Sequence, residues 1–222
     1  CALPIFKHIL PELFECKGIA QPSDYHHEGD VWDHMMQLLR AYTDEHQIDV
    51  RLASLFHDCG KVKTFSLKER IRFDEHASVS GDLTKEALQR LQCPAKRRDK
   101  IVWLVKHHMM MQVHEMPEER KSHWYYHPYF PELLQVFWLD IAGTEPSDFS
   151  LYEKILDDYH TFLDSHPRPP KPLLTGDEVM EILGIGPGEK VGEVLKMLYE
   201  KQVKGEVKTR ADATSFLSTL TA

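Results

Sequence analysis

The sequence predicts an all-α protein, a helical bundle carrying a small C-terminal helical appendage. Three observations lead there. Apolar residues recur at helical spacing almost throughout the chain. Of the 222 residues, 42% are apolar, enough for a packed core. One Pro-rich break separates a long first part from a short second one. The first helix is read over Ala2 to Leu13. Asp30 is an N-cap for the next, whose apolar face carries Val31, Met35, Leu38, Leu39 and Tyr42. Asp49 caps a third, which buries Leu52, Leu55 and Phe56 and stops at Gly60. At Thr64-Phe65-Ser66 and Arg70-Ile71-Arg72-Phe73 the pattern changes to a short two-stranded excursion. Helices follow through Leu83, Ala87, Leu88 and Leu91, then through Ile101, Leu104 and Val105. Met111 to Pro131 mixes His, Tyr and Pro and reads as an irregular loop. Helices resume over Glu132–Ala142 and Leu151–Leu163. From His166 to Pro172, four prolines in seven residues make an extended linker. Beyond it Thr175 begins a helix, Gly184-Ile185-Gly186-Pro187-Gly188 turns, and Lys190–Lys204 is amphipathic. The expected division is a first domain over 1–165, a linker over 166–173 and a small helical domain over 174–222.

Lys and Arg number 27 against 35 Asp and Glu, a net charge of −8. That balance argues against a general nucleic-acid coat protein but leaves room for a local basic patch. Lys96-Arg97-Arg98 with Lys100 is one candidate, although such runs are more often a solvated helix start. No apolar stretch approaches the ~20 residues that span a bilayer, and no secretory signal pattern is present. Cys1, Cys16, Cys59 and Cys93 form no Cys-x-x-Cys pair, and a chain of this length needs no oxidised framework. The expected location is cytoplasmic. The first residue is Cys1 rather than Met and stands inside a helical pattern, which suggests a piece of something longer.

Fourteen histidines stand out in this composition, because imidazole is the commonest protein metal ligand. The strongest local signal is His57-Asp58-Cys59-Gly60-Lys61 at the end of an apolar helix. Where the backbone turns at Gly60, both side chains can reach one ion. Alone, such a pair is more often a helix cap beside a solvated carboxylate. Context shifts the balance. His34 lies on the apolar side of the preceding helix, and Asp140 follows Phe137-Trp138-Leu139 in a mostly buried one. A carboxylate there must be paired. One divalent ion accounts for His34, His57, Asp58 and Asp140 together, with fewer assumptions than four separate partners. Imidazole plus carboxylate suits Mn, Fe, Ni, Zn or Mg with positions left open for water. His76, His107 and His108 are candidates for a second ion bridged by Asp58, or for contact with a substrate phosphate. Lys61 is a further phosphate contact or a solvated helix-end lysine, at even odds. His26, His27, His114, His123 and His127 fall in loops and read as surface residues. The Gly184–Gly188 turn can offer N–H groups to an RNA phosphate, though joining two helices explains it more simply.

The order His34, His57-Asp58, Asp140 resembles the HD superfamily of metal-dependent phosphohydrolases. One branch is closer still. Gly18 to His34, ending in Gly29-Asp30-Val31-Trp32-Asp33-His34, is similar to the run into the HD domain of bacterial tRNA nucleotidyltransferases, the CCA-adding and poly(A) polymerase family. Leu55 to Lys61, Arg72-Phe73-Asp74-Glu75-His76, and the tail from Leu174-Thr175-Gly176 to Thr209-Arg210 also match that branch. The resemblance covers the chain from about Leu10 onward. It implies an HD-domain bundle using one or two divalent ions, and hydrolysis of nucleotide or RNA-end phosphate esters through a metal-activated water. Those esters are phosphomonoesters or 2′,3′-cyclic phosphodiesters. By the resemblance His34, His57, Asp58 and Asp140 become metal ligands, and the residue reading adds Asp58, Lys61 and His107 as the expected catalytic set. Lys61, His76 and His108 become substrate contacts. Cys59 departs from the usual branched apolar residue and places a thiol beside the site. No strand-rich segment carries the Gly-Ser and Asp-x-Asp pattern of a nucleotidyltransferase head, so this polypeptide is not expected to add nucleotides by itself. The alternative is a non-catalytic tRNA- or nucleotide-binding module acting through a parent protein. No membrane or DNA partner is expected.

Overall fold

The computed structural model describes residues 7–24 and 26–220. Contacts divide the chain into two units, Cys1–Met111 with Pro128–Leu156, and Gln112–His127 with Asp157–Ala222.

In the first unit, the expected Ala2–Leu13 helix lies outside the described residues up to residue 6. Residues 7–9 are helical, Leu10 interrupts the helix, and α1 (Pro11–Phe14) restarts on Pro11. Helix α2 (Val31–Arg40) opens on Asp30, the N-cap that the sequence predicts, and the structure adds a capping box shared with Asp33. Val31, His34, Met35 and Leu38 form its buried face. Leu39 falls on the flank and is exposed, and Tyr42 is half-buried with its hydroxyl donating to the Arg51 carbonyl. Helix α3 (Ile48–Phe56) corrects two expectations. Gln47 is its N-cap residue; Asp49 sits inside the first turn, paired with Arg97 and Lys100. The buried face is Val50, Ala53 and Phe56, while Leu52 and Leu55 are only partly covered. Those pairs, with Lys100 to Glu132 at 2.5 Å, also occupy two of the four cations of the basic run.

Next come α4 (Lys61–Thr64) and the expected excursion, β1 (Phe65–Leu67) antiparallel to β2 (Ile71–Phe73) with Phe65 opposite Phe73. Helix α5 (His76–Arg90) packs on α6 (Ala95–Lys106), and α3 lies against α6 and α8 (Phe130–Gly143), on which α2 also rests. Leu38, Phe56, Ile101, Leu104, Leu133 and Leu139 fill the space between them, whereas Leu91 lies past the end of α5 and is exposed.

In the second unit, a single 3₁₀ turn (Val113–Glu115) and α7 (Glu118–Tyr125) replace the loop expected over this stretch. Pro117 sets the start of α7, and Glu118 and Glu119 suit its positive end. Apolar periodicity is nearly absent from it, which is why the pattern misleads. Helix α9 (Ser150–Ser165) begins in the first unit and ends in the second; its Asp158 takes a hydrogen bond from Tyr125 and an ion pair from Lys121. Helices α10 (Gly176–Leu183), α11 (Glu189–Val203) and α12 (Arg210–Thr219) enclose Leu174, Val179, Val194, Leu198 and Leu217. Thr175 and Thr209 each supply a capping box. Gly184 closes α10 at φ +63°, a conformation that glycine adopts without penalty. Among the described residues, no helix is long and apolar enough to cross a membrane.

Candidate metal centre

The site is built where α2, the end of α3, the start of α5, the end of α6 and the last turn of α8 converge. Helix α3 ends at Phe56, and the chain turns through His57 to Gly60 before α4. Gly60 is required there by packing. A β-carbon on it would stand 2.4 Å from the His76 carbonyl oxygen and 2.6 Å from the Ser80 nitrogen. The Gly60 N–H donates to Ser80 Oγ at 2.8 Å, which fixes the His57-Asp58 turn against α5.

Four histidines follow one rule. Nδ1 of His34 faces the Gly143 carbonyl at 3.1 Å, and that of His57 faces the Ser54 carbonyl at 2.6 Å. His76 and His108 do the same toward Phe73 and Val105, both at 2.8 Å. A carbonyl only accepts, so each Nδ1 carries the proton and each Nε2 points inward. The inward atoms meet two carboxylates. Asp140 Oδ1 lies 3.1 Å from His34 Nε2 and 3.2 Å from His57 Nε2. Asp58 Oδ2 is 3.3 Å from His57 Nε2, and Oδ1 is 3.4 Å from His76 Nε2 and 3.9 Å from His108 Nε2. Two donor groups result, sharing His57: His34, His57 and Asp140, and His57, Asp58 and His108.

This donor set fits a divalent ion, and two observations say so. Among the described residues, buried His34 Nε2 has no hydrogen-bond partner, Asp140 being near but out of line. The Nε2 atoms of His76 and His108 face each other at 3.2 Å although both rings hold their proton on the far nitrogen. Either an extra proton or a cation must lie between such lone pairs.

Charge is tightly coupled here. Burial pulls His57 down, but Asp58 and Asp140 outweigh it and raise its pKa to about 10. Burial pushes Asp58 and Asp140 up, and the cations outweigh it: His57 and Lys61 hold Asp58, and His57 and His34 hold Asp140, well below the usual range. Burial beside His57 lowers His108 to about 4.

Other predicted residues fall differently. Lys61 is buried, with Nζ 2.6 Å from Asp58 Oδ2 and 2.7 Å from Gln21 Oε1, so its charge is directed at Asp58. His107 is not brought into the cluster. Its Nδ1 donates to its own helix at the Trp103 carbonyl, and its ring stacks on Trp103. His26 is half-buried rather than a surface residue, edge-on to His34 at 5.7 Å; His114 and His127 are also half-buried. Glu28 and Gln21 were not anticipated. The Glu28 side chain is fully buried beside His34 and His26, and burial is outweighed by bonds from His34 and the Glu145 N–H, leaving its pKa at about 2. The cluster floors a cleft of about 820 Å³, with Ile71 and Phe73 of the hairpin on one side and Met109, Phe137 and Leu151 among its other apolar walls.

A helical bundle that brings histidine and carboxylate donors together from five segments presents the groups a metal ion requires. The chain belongs to the HD domain family, whose model matches residues 25–158. It is similar to the A-adding tRNA nucleotidyltransferase of Deinococcus radiodurans, 35% identical over 97% of this chain and 52% of that protein. It is also similar to the CC-adding tRNA nucleotidyltransferase of Thermus thermophilus, 33% identical over 94% of this chain and 48% of the relative. The chain thus spans about half the length of these two relatives.

Proposed function

We propose that this chain is a metal-dependent phosphohydrolase acting on a phosphate ester at a nucleotide or an RNA end. The observation that carries the reading is the convergence of four carbonyl-anchored histidines and two carboxylates at an 820 Å³ cleft, which His76, His108, Asp58 and Asp140 line and behind which His34 and His57 are buried. His34, His57, Asp58 and Asp140 would hold one ion; His76 and His108 would join a second or contact the phosphate. A bound divalent ion supplies Lewis acidity at the phosphoryl oxygens and lowers the pKa of a water. The protein's own part is to orient and to hold charge. Backbone carbonyls fix the imidazoles in the ligating tautomer. Lys61 keeps Asp58 ionised and aimed inward. The proton on His57 Nε2 must leave before that atom can ligate, so ion uptake releases a proton. Apolar walls on the cleft suit a nucleoside better than a bare phosphate.

A second reading draws on what the relatives are: a tRNA-binding module without chemistry of its own. The net charge of −8 counts against tight RNA binding by this part alone. The experiment is hydrolysis of AMP, 2′,3′-cyclic AMP and p-nitrophenyl phosphate by protein reconstituted with Mn, Ni or Mg, beside Asp58→Ala. Turnover that Asp58→Ala loses is the expected result. Equal background in both proteins, with tRNA binding retained, overturns hydrolysis in favour of the module.

A further inference from the structure

Among the described residues Glu28 is paired with His26 and His34 and with no Lys or Arg, although a buried carboxylate ordinarily requires a cation. Its neighbours are instead hydrogen-bonding groups directed toward the metal centre. Oε1 lies 3.2 Å from His34 Nδ1, 2.5 Å from His26 Nδ1 and 3.4 Å from Gln21 Nε2, and Oε2 accepts from the Glu145 N–H at 2.9 Å. Gln21 continues outward from Glu28. Its Oε1 accepts from Lys61 Nζ at 2.7 Å, and Lys61 reaches Asp58 Oδ2 at 2.6 Å. Through His57, Asp140 and His34 the path returns to Glu28, so a closed loop of polar contacts runs through the donor cluster and back by way of Glu28, Gln21 and Lys61.

His26, Glu28 and His34 are near enough to suggest an ion of their own. The proton on His34 Nδ1 argues against it. That nitrogen faces the Gly143 carbonyl as well as Glu28, and it keeps its proton while Nε2 serves the centre. A carboxylate on the protonated side of a ligating imidazole orients the ring and raises the basicity of the far nitrogen.

We infer that Glu28 and Gln21 are positioning residues of the metal centre. Glu28 sets the orientation and donor strength of His34, and Gln21 holds Lys61 so that Asp58 stays in register. The inference rests on the metal reading above. It is tested on the full chain with Co(II) alone, by titration and by the visible absorption that reports ligand geometry. Wild type is expected to bind Co(II). Glu28→Gln, which keeps shape and an acceptor but removes the charge, should weaken Kd about tenfold, and Glu28→Ala 10–100-fold. Both should shift the Co(II) spectrum while far-UV circular dichroism is unchanged. Gln21→Met, which leaves Glu28 in place, should weaken Kd several-fold and covers the case in which a Glu28 variant does not fold. Wild-type Kd and spectrum in Glu28→Gln and Gln21→Met overturn the inference while leaving the metal reading intact. No Co(II) binding by wild type overturns both.

Discussion

His34, His57, Asp58, Lys61 and His108 lie in the interior of the first unit, whereas the second encloses Leu174, Val179, Val194, Leu198 and Leu217 and keeps its Arg210–Glu178 and Lys201–Glu206 pairs on the surface. The two are built from the same local devices, capping boxes and amphipathic helices. They differ in what those devices hold. In the second unit, apolar burial is the product. In the first it is a frame, and three of the four carbonyls that anchor the histidines, those of Ser54, Val105 and Gly143, lie in the last turn of a helix, while the fourth, that of Phe73, ends β2. Helix ends are where backbone carbonyls lack partners within the helix and are free to take an Nδ1 proton. A donor cluster assembled this way draws its rigidity from the helices, and their hydrophobic stability offsets its buried charge.

The sharpest way to break this comparison is to delete core volume in each unit. Phe56→Ala should cost about 3–5 kcal/mol and Leu198→Ala about 2–5 kcal/mol, both side chains being buried. Phe56 immediately precedes the His57-Asp58 turn, so its loss should also weaken Co(II) binding. Leu198→Ala should leave Co(II) affinity at the wild-type value. Denaturant unfolding read beside metal titration checks both. A metal Kd moved equally by the two variants removes the distinction between frame and product.

A smaller effect is the pH profile of the metal-free protein. His57 is raised to about 10, so its contribution is complete below the unfolded value near 6.5 and is lost as pH rises through 10. His108 is lowered to about 4, so its contribution is complete above 6.5 and is lost as pH falls through 4. Glu28, at about 2, with Asp58 and Asp140 well below their usual range, adds a further loss as acid protonates them. Stability should peak near pH 6.5 and fall on both sides, with a slope of at most about 1.4 kcal/mol per pH unit for each proton. On the proposed metal reading an ion would displace the His57 proton, so saturating Co(II) should remove the alkaline decline. A metal-free profile that is flat from pH 5 to 9 contradicts the coupling described for the cluster.

The same contrast explains what was legible in the sequence. Asp30, Thr175 and the hairpin were readable because caps and strand alternation are local. That His34, His57, Asp58 and Asp140 come together was readable because buried ionisable residues on apolar faces need partners, and their order matches a known pattern. Helix α7 was not, because its charged first half and aromatic second half carry almost no apolar period. Glu28 and Gln21 lay hidden in a loop that composition marks as surface. Their roles come from contacts with residues far along the chain, Glu145 and Lys61. Gly143 is similar. Its β-carbon would stand 3.0 Å from Leu38 Cβ and 3.2 Å from His34 Cε1, so its absence lets α8 bring a carbonyl to His34. A glycine ending an apolar helix gives no such hint. His107 misled for the opposite reason: one residue from His108, it turns to the other side of the α6 terminus and stacks on Trp103.

The smallest expected effects come from the caps, and they separate the two units most cleanly because the chemistry removed is the same. In the second unit, Thr209 Oγ1 accepts from the Asp212 N–H at 3.2 Å. Thr209→Ala should cost about 1 kcal/mol in denaturant unfolding and leave Co(II) binding untouched. In the first unit, Asp30 Oδ1 accepts from the Asp33 N–H at 2.8 Å, and Oδ2 also accepts from the Gly18 N–H at 2.6 Å. Asp30 therefore caps the helix that carries His34 and ties down the loop that carries Gln21 and Glu28. Asp30→Ala should cost up to about 2 kcal/mol and, unlike its counterpart, weaken Co(II) affinity, because His34 and the residues that aim it lose one shared anchor. If Asp30→Ala loses stability but binds Co(II) as wild type does, the loop holds its shape without the cap. The frame around the metal centre then begins at the helix itself.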